Sequence, residues 1–206
     1  SLLTCTGENV EVTRIGRRGG PADLGVSDAT VLATGGGPFD CPALLVGGPG
    51  ATELRLALGL SGDGAFEVAS AVVGTDDGAG AVSPASISLL ARLLVTDRLT
   101  VGGTSDGLID RLGRLEAGRL VAGDGARGTI TDVVELVVAN RLVVGGDDLG
   151  ELRETAFAAG ELVLGDRRGG LGSVTVDPGD ASTVDGTVEV GARGFGHLQV
   201  RDELTV

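Results

Sequence analysis

A short apolar stretch that ends in glycine returns at nearly constant intervals through the second half of the chain, and no other feature constrains the fold as strongly. The turn glycines are separated by 21, 22, 20 and 26 residues, which is a period of about twenty with one longer turn. The stretches are RLTVG (98–102), RLVAG (119–123), RLVVG (141–145), ELVLG (161–165) and TVEVG (187–191), with glycines at Gly102, Gly123, Gly145, Gly165 and Gly191.

Inside each unit, apolar residues alternate with polar ones, as in GTITDVVELVV (128–138) and GHLQV (196–200). A period near two predicts β-strands that turn one face inward. The segment with the nearest approach to a helical stripe, PASISLLARLLVTD (84–97), is interpreted as strand or as a single helical turn. A unit that holds only two or three short strands cannot bury its own apolar face, whereas a stack of such units can.

The sequence therefore predicts an all-β protein, a single right-handed parallel β-solenoid with a repeat of about 20–22 residues. One domain spans 1–206, with irregular N-terminal coils over 1–42, looser repeats over 43–97 and regular repeats over 98–206. Strands at 98–101, 119–122, 141–144, 161–164 and 187–190 are expected to stack in register, which places Val101, Ala122, Val144, Leu164 and Val190 in equivalent positions.

Composition agrees with a narrow coil that turns often. The chain has 38 Gly and 4 Phe, and it has no Met, Trp or Tyr, so the core must be built from small and branched aliphatic side chains. Glycine at this density without a collagen triplet indicates turns at short intervals, where the backbone needs a positive φ or a close approach between coils.

The net charge of −13 argues against nucleic acid as a partner, because phosphate binding needs concentrated positive charge. All 16 basic residues are arginine. The sequence has neither a long uninterrupted apolar run nor a basic amphipathic helix, and we therefore expect no membrane insertion.

Two cysteines, Cys5 and Cys41, allow one disulfide bond. Their even number, the lack of metal-ligand spacing and the opening SLLTCTGENVEV, which is typical of a processed N-terminus, favour an oxidised pair in an exported protein. The bond would tie the N-terminal strand to the glycine-rich loop TGGGPFDCPA (34–43); two unpaired buried thiols are the alternative. The expected location is extracellular or at the cell surface.

The motif L-x-V-G-x-x-x-x-G-x-L-x-V, best seen in RLVAGDGARGTITD (119–132) and TVEVGARGFGHLQV (187–200), resembles the β-solenoid repeats of autotransporter passengers and of exported repeat proteins associated with PEP-CTERM sorting. The resemblance covers 95–206 well and 9–94 loosely. Outward positions here carry Asp, Glu and Arg, where those repeats usually carry Thr, Ser and Asn. The resemblance implies the solenoid fold, export and a structural role at the cell surface, the last by analogy of fold alone.

Two motifs imitate catalytic or cofactor sites. GDGARG (123–128) satisfies G-x-G-x-x-G, but a strand pattern follows it where a dinucleotide site needs a helix. GTSDG (103–107) fits the elbow of a serine hydrolase, and His197 follows later, but Ser105 lies at the turn position of the repeat. We interpret both as solenoid corners.

Two further chemistries stay open as alternatives. The acidic turns SGDGA (61–65), GTDDGAG (74–80) and GGDDLG (145–150) could gather oxygen ligands for Ca²⁺, although aspartate in turns usually serves turn geometry and solubility. A parallel β-helix can also be a polysaccharide lyase or hydrolase, but this chain has few aromatic side chains on which a sugar could stack. We therefore expect no enzyme activity, catalytic residue, cofactor or metal.

Two classes of function remain, a self-assembling structural protein and a binding module of the adhesin or passenger type. The sequence ends on DELTV (202–206), which repeats DRLTV (97–101), and strand 203–206 lacks the Pro or Lys that protects an edge. We expect Leu2 and Leu3 of one copy to meet Leu204, Thr205 and Val206 of another, which gives a head-to-tail filament or surface layer. In the alternative, 203–206 pairs only within its own chain.

Overall fold

The computed structural model describes residues 2–12, 23–35, 41–46, 52–58, 65–74, 85–88, 92–179, 181–201 and 203–206, and it describes side chains for 44–46, 68–74 and the described residues from 92 onward. The described residues are all-β and contain no helix. Their strands are β1 (Leu2–Val12), β2 (Asp23–Gly35), β3 (Cys41–Val46), β4 (Thr52–Leu58), β5 (Ala65–Val73), β6 (Ala85–Ser88), β7 (Arg92–Val101), β8 (Gly107–Asp110), β9 (Arg114–Ala122), β10 (Gly128–Val144), β11 (Leu149–Leu164), β12 (Leu171–Val176), β13 (Ser182–Val184), β14 (Val188–Val190), β15 (Phe195–Val200) and β16 (Leu204–Thr205).

Each strand pairs in parallel with the strand that follows one repeat later, so the chain winds as a β-solenoid of about 5 turns. Arg92 pairs with Arg114, Gly107 with Gly128, and Gly128 with Gly150, which are separations of 21 or 22 residues. The predicted fold class and repeat length are therefore confirmed. Within the segment 84–97, the described residues are strand: 85–88 form β6, and 92–97 belong to β7.

Three strand segments make up each coil, and each segment stacks into one face of the solenoid. Face A consists of the residues before the turn glycine, face B of those after it, and face C of those that lead back to face A. Face A contains 98–101, 119–122, 141–144, 161–164 and 188–190; face B contains 107–110, 128–131, 149–152, 171–174 and 195–198; face C contains 92–95, 114–117, 135–138, 157–159, 182–184 and 204–205.

The predicted register on face A is confirmed residue by residue. Pairing joins Val101 to Ala122, Ala122 to Val144, Val144 to Leu164, and Leu164 to Val190. The first four are fully buried, whereas Val190 is 50% exposed. The inward column is thus an aliphatic core whose last member is covered from one side only.

The turn between faces A and B begins with a glycine in the left-handed region, as expected. Gly102, Gly123, Gly145, Gly165 and Gly191 have φ between 64° and 78°. Each donates its N–H to the carbonyl that ends the face A strand one coil earlier, at 2.8–3.0 Å. A Cβ on Gly102 would lie 2.4 Å from the carbonyl oxygen of Ala126 in the next coil, so the stacked backbones leave no room for a side chain there.

The corner between faces B and C was not anticipated from the sequence. Arg111, Asp132 and Glu154 lie at equivalent places in three successive coils, and all have positive φ, at 55°, 53° and 50°. A left-handed backbone costs a residue with a side chain about 1–2 kcal/mol. Glycine therefore marks one corner of the coil, and three polar residues with a left-handed backbone mark another.

One correspondence inferred from the sequence is wrong. DRLTV (97–101) ends β7 on face A, whereas Leu204 and Thr205 of DELTV pair with Ser182 and Thr183 on face C. Leu204 therefore occupies the column of Leu93 and Leu115, which is where a coil leads back toward face A. The two segments have similar sequences because faces A and C both need an inward leucine. Similarity over five residues is therefore not enough to tell on which face a segment lies.

Candidate functional site

The outward side chains of the solenoid form ladders of arginine and carboxylate that run from coil to coil. On face C, Arg92, Arg114 and Glu135 stack in register. Glu116 accepts hydrogen bonds from Arg92 and from Arg114 Nε, the latter at 2.9 Å, and Glu135 Oε2 lies 2.6 Å from Arg114 Nη1. Because most of these pairs join adjacent coils, they add to the backbone pairing that holds the stack together.

These contacts change the titration of Glu116 on face C. Burial raises the pKa of Glu116, but the hydrogen bonds and charges of Arg92 and Arg114 outweigh burial, and the net pKa lies below its ordinary value. The hydrogen bond to Glu116 is the main cause that raises the pKa of Arg114. The ladder thus favours the charged form of both partners.

On face B, an arginine and a carboxylate from adjacent coils form a further pair. Arg127 Nη2 lies 2.5 Å from Glu151 Oε2, and the Thr129 hydroxyl donates to the same oxygen at 3.3 Å. The hydrogen bond from Arg127 lowers the pKa of Glu151 more than burial raises it. In return, the hydrogen bond to Glu151 raises the pKa of Arg127.

A groove of about 700 Å³ runs along face A. Arg98, Arg119 and Arg141 stack in register along it, one per coil. Its lining carries four arginines and three carboxylates: Arg98, Arg119, Val121, Asp124, Ala139, Asn140, Arg141, Val143, Gly146, Gly160, Glu161, Asp166 and Arg167.

Three of these four arginines are engaged with carboxylates. Arg98 Nη2 lies 2.7 Å from Asp124 Oδ2. Arg141 lies 3.1 Å from both Glu161 Oε2 and Asp166 Oδ1. Arg167 Nη1 lies 2.5 Å from Asp147 Oδ2 and 3.6 Å from Asp124 Oδ1, and the hydrogen bond to Asp147 raises the pKa of Arg167.

The residues predicted for an assembly interface lie at opposite ends of the stack, and one chain does not bring them together. Leu2 and Leu3 are in β1, where they pair with Asp23 and Leu24 of β2. Leu204 and Thr205 form β16, which pairs with β13, and Val206 is 70% exposed. These placements fit an end-to-end contact between copies, and they fit equally well the alternative in which the strand pairs within its own chain.

The side chains of Cys5 and Cys41 lie outside the described residues. Cys5 pairs with Val26 through its backbone, and Val26 pairs with Val46, whereas Cys41 pairs with Val68. The two cysteines are therefore in different columns, on strands two pairing steps apart, and strand pairing alone does not bring them together. The disulfide stays a prediction.

The two motifs that imitate active sites are turns. GDGARG connects β9 to β10, and a strand follows it. Ser105 is fully buried, and its hydroxyl oxygen has no hydrogen-bond partner among the described residues. His197 is exposed on β15, four pairing steps of about 4.8 Å from the coil of Ser105, so the two side chains do not meet.

Of the acidic turns, only GGDDLG is described in full. Asp147 binds Arg167, and Asp148 Oδ1 accepts a hydrogen bond from the Leu149 N–H at 2.6 Å, which is local turn chemistry. The described part of the chain contains no group of three or more His, Cys, Asp or Glu side chains that could hold a metal ion. It also contains no helix that could cross a membrane.

The groove was missed from the sequence, although a signal for it is present. Aligned on the turn glycine, the repeats start face A with Arg98, Arg119 and Arg141, and the aspartates Asp124 and Asp166 directly follow turn glycines. A comparison of equivalent positions in successive repeats, rather than within one repeat, would have indicated ion pairs between coils.

Comparison with known proteins gives no lead to function. No protein-family model, curated protein or solved structure matches the chain. The function has to be inferred from the geometry of the solenoid itself.

Proposed function

We propose that this protein is a structural, extracellular β-solenoid whose copies associate head to tail into a filament or surface layer. The observation that carries the proposal is the one-sided pairing in the coil that contains β14, β15 and β16. Among the described residues, β14, β15 and β16 each pair on one side only. The apolar side chains of Val190, Phe195, Val200 and Val206 are exposed in this coil.

The first strand supplies a matching edge. Among the described residues, β1 pairs only with β2, on one of its two edges. All pairings in the stack are parallel, and a second copy added at either end would continue the same geometry. Such a contact joins two different surfaces and propagates as an open filament unless its rotation closes a ring. Main-chain hydrogen bonds of the added strand would supply affinity.

The sides of the rod favour end contacts over lateral ones. Arg–carboxylate pairs cover faces A, B and C, and the chain carries a net charge of −13. Two rods side by side would repel each other through this charge, since like net charge opposes association.

A matched pair of Val→Lys variants tests the proposal. Val190 is half exposed in the last coil, and Val134 is 70% exposed at a corner of a middle coil. V190K puts a charge at the edge where a second copy would add, and lysine is a common protection of edge strands. V134K puts the same charge on the side of the rod.

The expected result in sedimentation and negative-stain micrographs is rods for the wild type and V134K, and single molecules for V190K. Circular dichroism should show that both variants keep the β-fold. A wild type that stays monomeric at high concentration contradicts the proposal, and so does a V190K variant that assembles as the wild type does.

Export is tested separately through the cysteines. In an oxidising compartment we expect Cys5 and Cys41 to be bonded, which closes a long loop and stabilises the fold by roughly 3–4 kcal/mol in the chain-entropy model. The mass of the native protein after alkylation, with and without reductant, reports the bond. Two alkylated thiols without reductant would contradict it.

A further inference from the structure

A regular rule governs the ladder on face A. The arginine that starts a face A strand reaches the residue directly after the turn glycine one coil later. Arg98 binds Asp124, which follows Gly123, and Arg141 binds Asp166, which follows Gly165. Both contacts are within 3.1 Å, so the rule holds on either side of the coil between them.

That intervening coil breaks the rule. Arg119 stacks between Arg98 and Arg141, and the residue in the partner position, directly after Gly145, is Gly146. Arg119 is exposed and has no carboxylate partner among the described residues. The ladder is thus missing one carboxylate, and the arginine that would have bound it lines the groove.

The space around the missing carboxylate is open. Gly146 and Gly160 line the groove, and Val121 and Val143 contribute apolar surface between the rungs. Arg98, Arg141 and Arg167 are held by Asp124, Glu161, Asp166 and Asp147, so their charges are largely balanced locally. Arg119 alone, of the arginines that line this groove, adds a positive charge without a carboxylate on it.

We propose that the groove on face A binds a ligand carboxylate at Arg119, in the place that Asp124 and Asp166 occupy on the neighbouring rungs. A planar guanidinium presents paired N–H donors that match the two oxygens of a carboxylate. Sulfate offers the same oxygen geometry and is the second probe. The groove volume of about 700 Å³ exceeds a single carboxylate, so it admits a larger ligand that carries one.

This site lies on the side of the coil, and it is independent of association at the ends. It would make face A a ligand-binding surface, which corresponds to the binding module that the sequence left open as an alternative function. The failure of one proposal therefore leaves the other standing, and V190K should keep the anion site while it loses assembly.

The test is a titration of the ¹⁵N-labelled V190K protein with sodium acetate, and separately with sodium sulfate, at constant ionic strength held with sodium chloride. NMR reports the Nε–Hε signal of each arginine. The signal of Arg119 should shift and saturate. That of Arg153, which is exposed directly after the face B segment 149–152 and has no ion pair among the described residues, should not. A linear, unsaturated shift shared by Arg119 and Arg153 overturns the proposal.

A variant that adds a carboxylate opposite Arg119 serves as the matched control. G146D supplies the missing carboxylate, so it should abolish the saturable shift of Arg119. An unchanged response of Arg119 in G146D overturns the proposal. A Cβ on Gly146 would lie 3.0 Å from the Gly123 carbonyl oxygen, which is tight.

R119Q therefore serves as a second variant that leaves the backbone untouched. The amide signals of Gly146 and Gly160 should shift with acetate in V190K and stay fixed when R119Q is added. If these amides respond equally with and without R119Q, Arg119 is not the anion-binding group.

Discussion

The middle coils and the last coil are built from the same pattern, and they differ in what covers them. Val144 is fully buried between Ala122 and Leu164. Val190 of the same column pairs, among the described residues, only with Leu164, and it is 50% exposed. The turn glycines show the same contrast, since a Cβ on Gly123 would meet the next coil and a Cβ on Gly191 would not.

In this protein, therefore, a side chain is buried by the neighbouring coil and not by its own coil. In a stacked repeat, stability is approximately the sum of the stability of each unit and of its contacts with its neighbours. A residue in a middle coil contributes to two such contacts, and its counterpart in the last coil contributes to one. Substitutions at equivalent positions should therefore have unequal effects.

The largest effect is expected at the turn glycines. G123A forces a side chain into a backbone at φ 78° and places its Cβ 2.6 Å from the carbonyl carbon of Leu149. Left-handed strain and overpacking together should lower the free energy of unfolding by about 3–4 kcal/mol. G191A has the strain alone, since its nearest Cβ neighbour is 3.5 Å away, and should cost about 1–2 kcal/mol.

Urea unfolding of the two variants measures both effects. Equal losses for G123A and G191A would contradict the comparison, because they would mean that the next coil does not crowd Gly123.

The second effect is in the aliphatic column. V144A removes two methyl groups from a position without solvent contact and should destabilise the fold by about 2 kcal/mol, including the cavity. V190A removes the same groups from a half-exposed position and should cost about 1 kcal/mol or less. The measurement is thermal unfolding of both variants beside the wild type. A larger loss of stability in V190A than in V144A would contradict the comparison.

The smallest effect concerns the ladders, in which an arginine and a carboxylate of adjacent coils form a pair. The pKa of Glu151 in the folded protein lies below its ordinary value of 4.5 because Arg127 hydrogen-bonds to it. A carboxyl with a lowered pKa stabilises the fold above its unfolded pKa, and this stabilisation is lost as the pH falls below about 4.5 through the folded pKa. Such an exposed pair contributes roughly 0.2–1 kcal/mol.

The free energy of unfolding should therefore fall as the pH is lowered below 4.5, and E151Q should reduce that dependence. The measurement is urea unfolding at a series of pH values, repeated in high salt, which screens exposed pairs. An E151Q variant with the same pH dependence as the wild type would show that the ladder does not link the coils.

The sequence was sufficient to predict the parts of the fold that repeat. The glycine after each face A strand, and the alternation before it, predicted the column from Val101 to Val190 with its register. These positions are decided by local chemistry, a positive φ at the turn and an apolar side chain at every second residue, and both leave a mark within a single repeat.

The rest depends on contacts between repeats, which a single repeat does not reveal. The left-handed corner at Arg111, Asp132 and Glu154 has no glycine to mark it. The placement of DELTV on face C is visible only across repeats: Leu204 lies 13 residues after Gly191, as Leu115 lies 13 residues after Gly102. The arginine groove is visible only when Arg119 and Gly146 are compared with their counterparts one coil before and after.

The central claim is that coils stack in parallel with a fixed register, and cysteine pairs test it most directly. In a variant with both native cysteines replaced by serine, R98C and R119C together would place two thiols on paired residues of adjacent coils. Their Cα atoms would be about 4.8 Å apart, within the range that a disulfide spans, whereas R98C with V121C would place them about 8 Å apart. Mild oxidation, read by mass spectrometry, should close the first pair readily and leave the second open. Equal closure of both pairs, or closure of the second alone, would contradict the account.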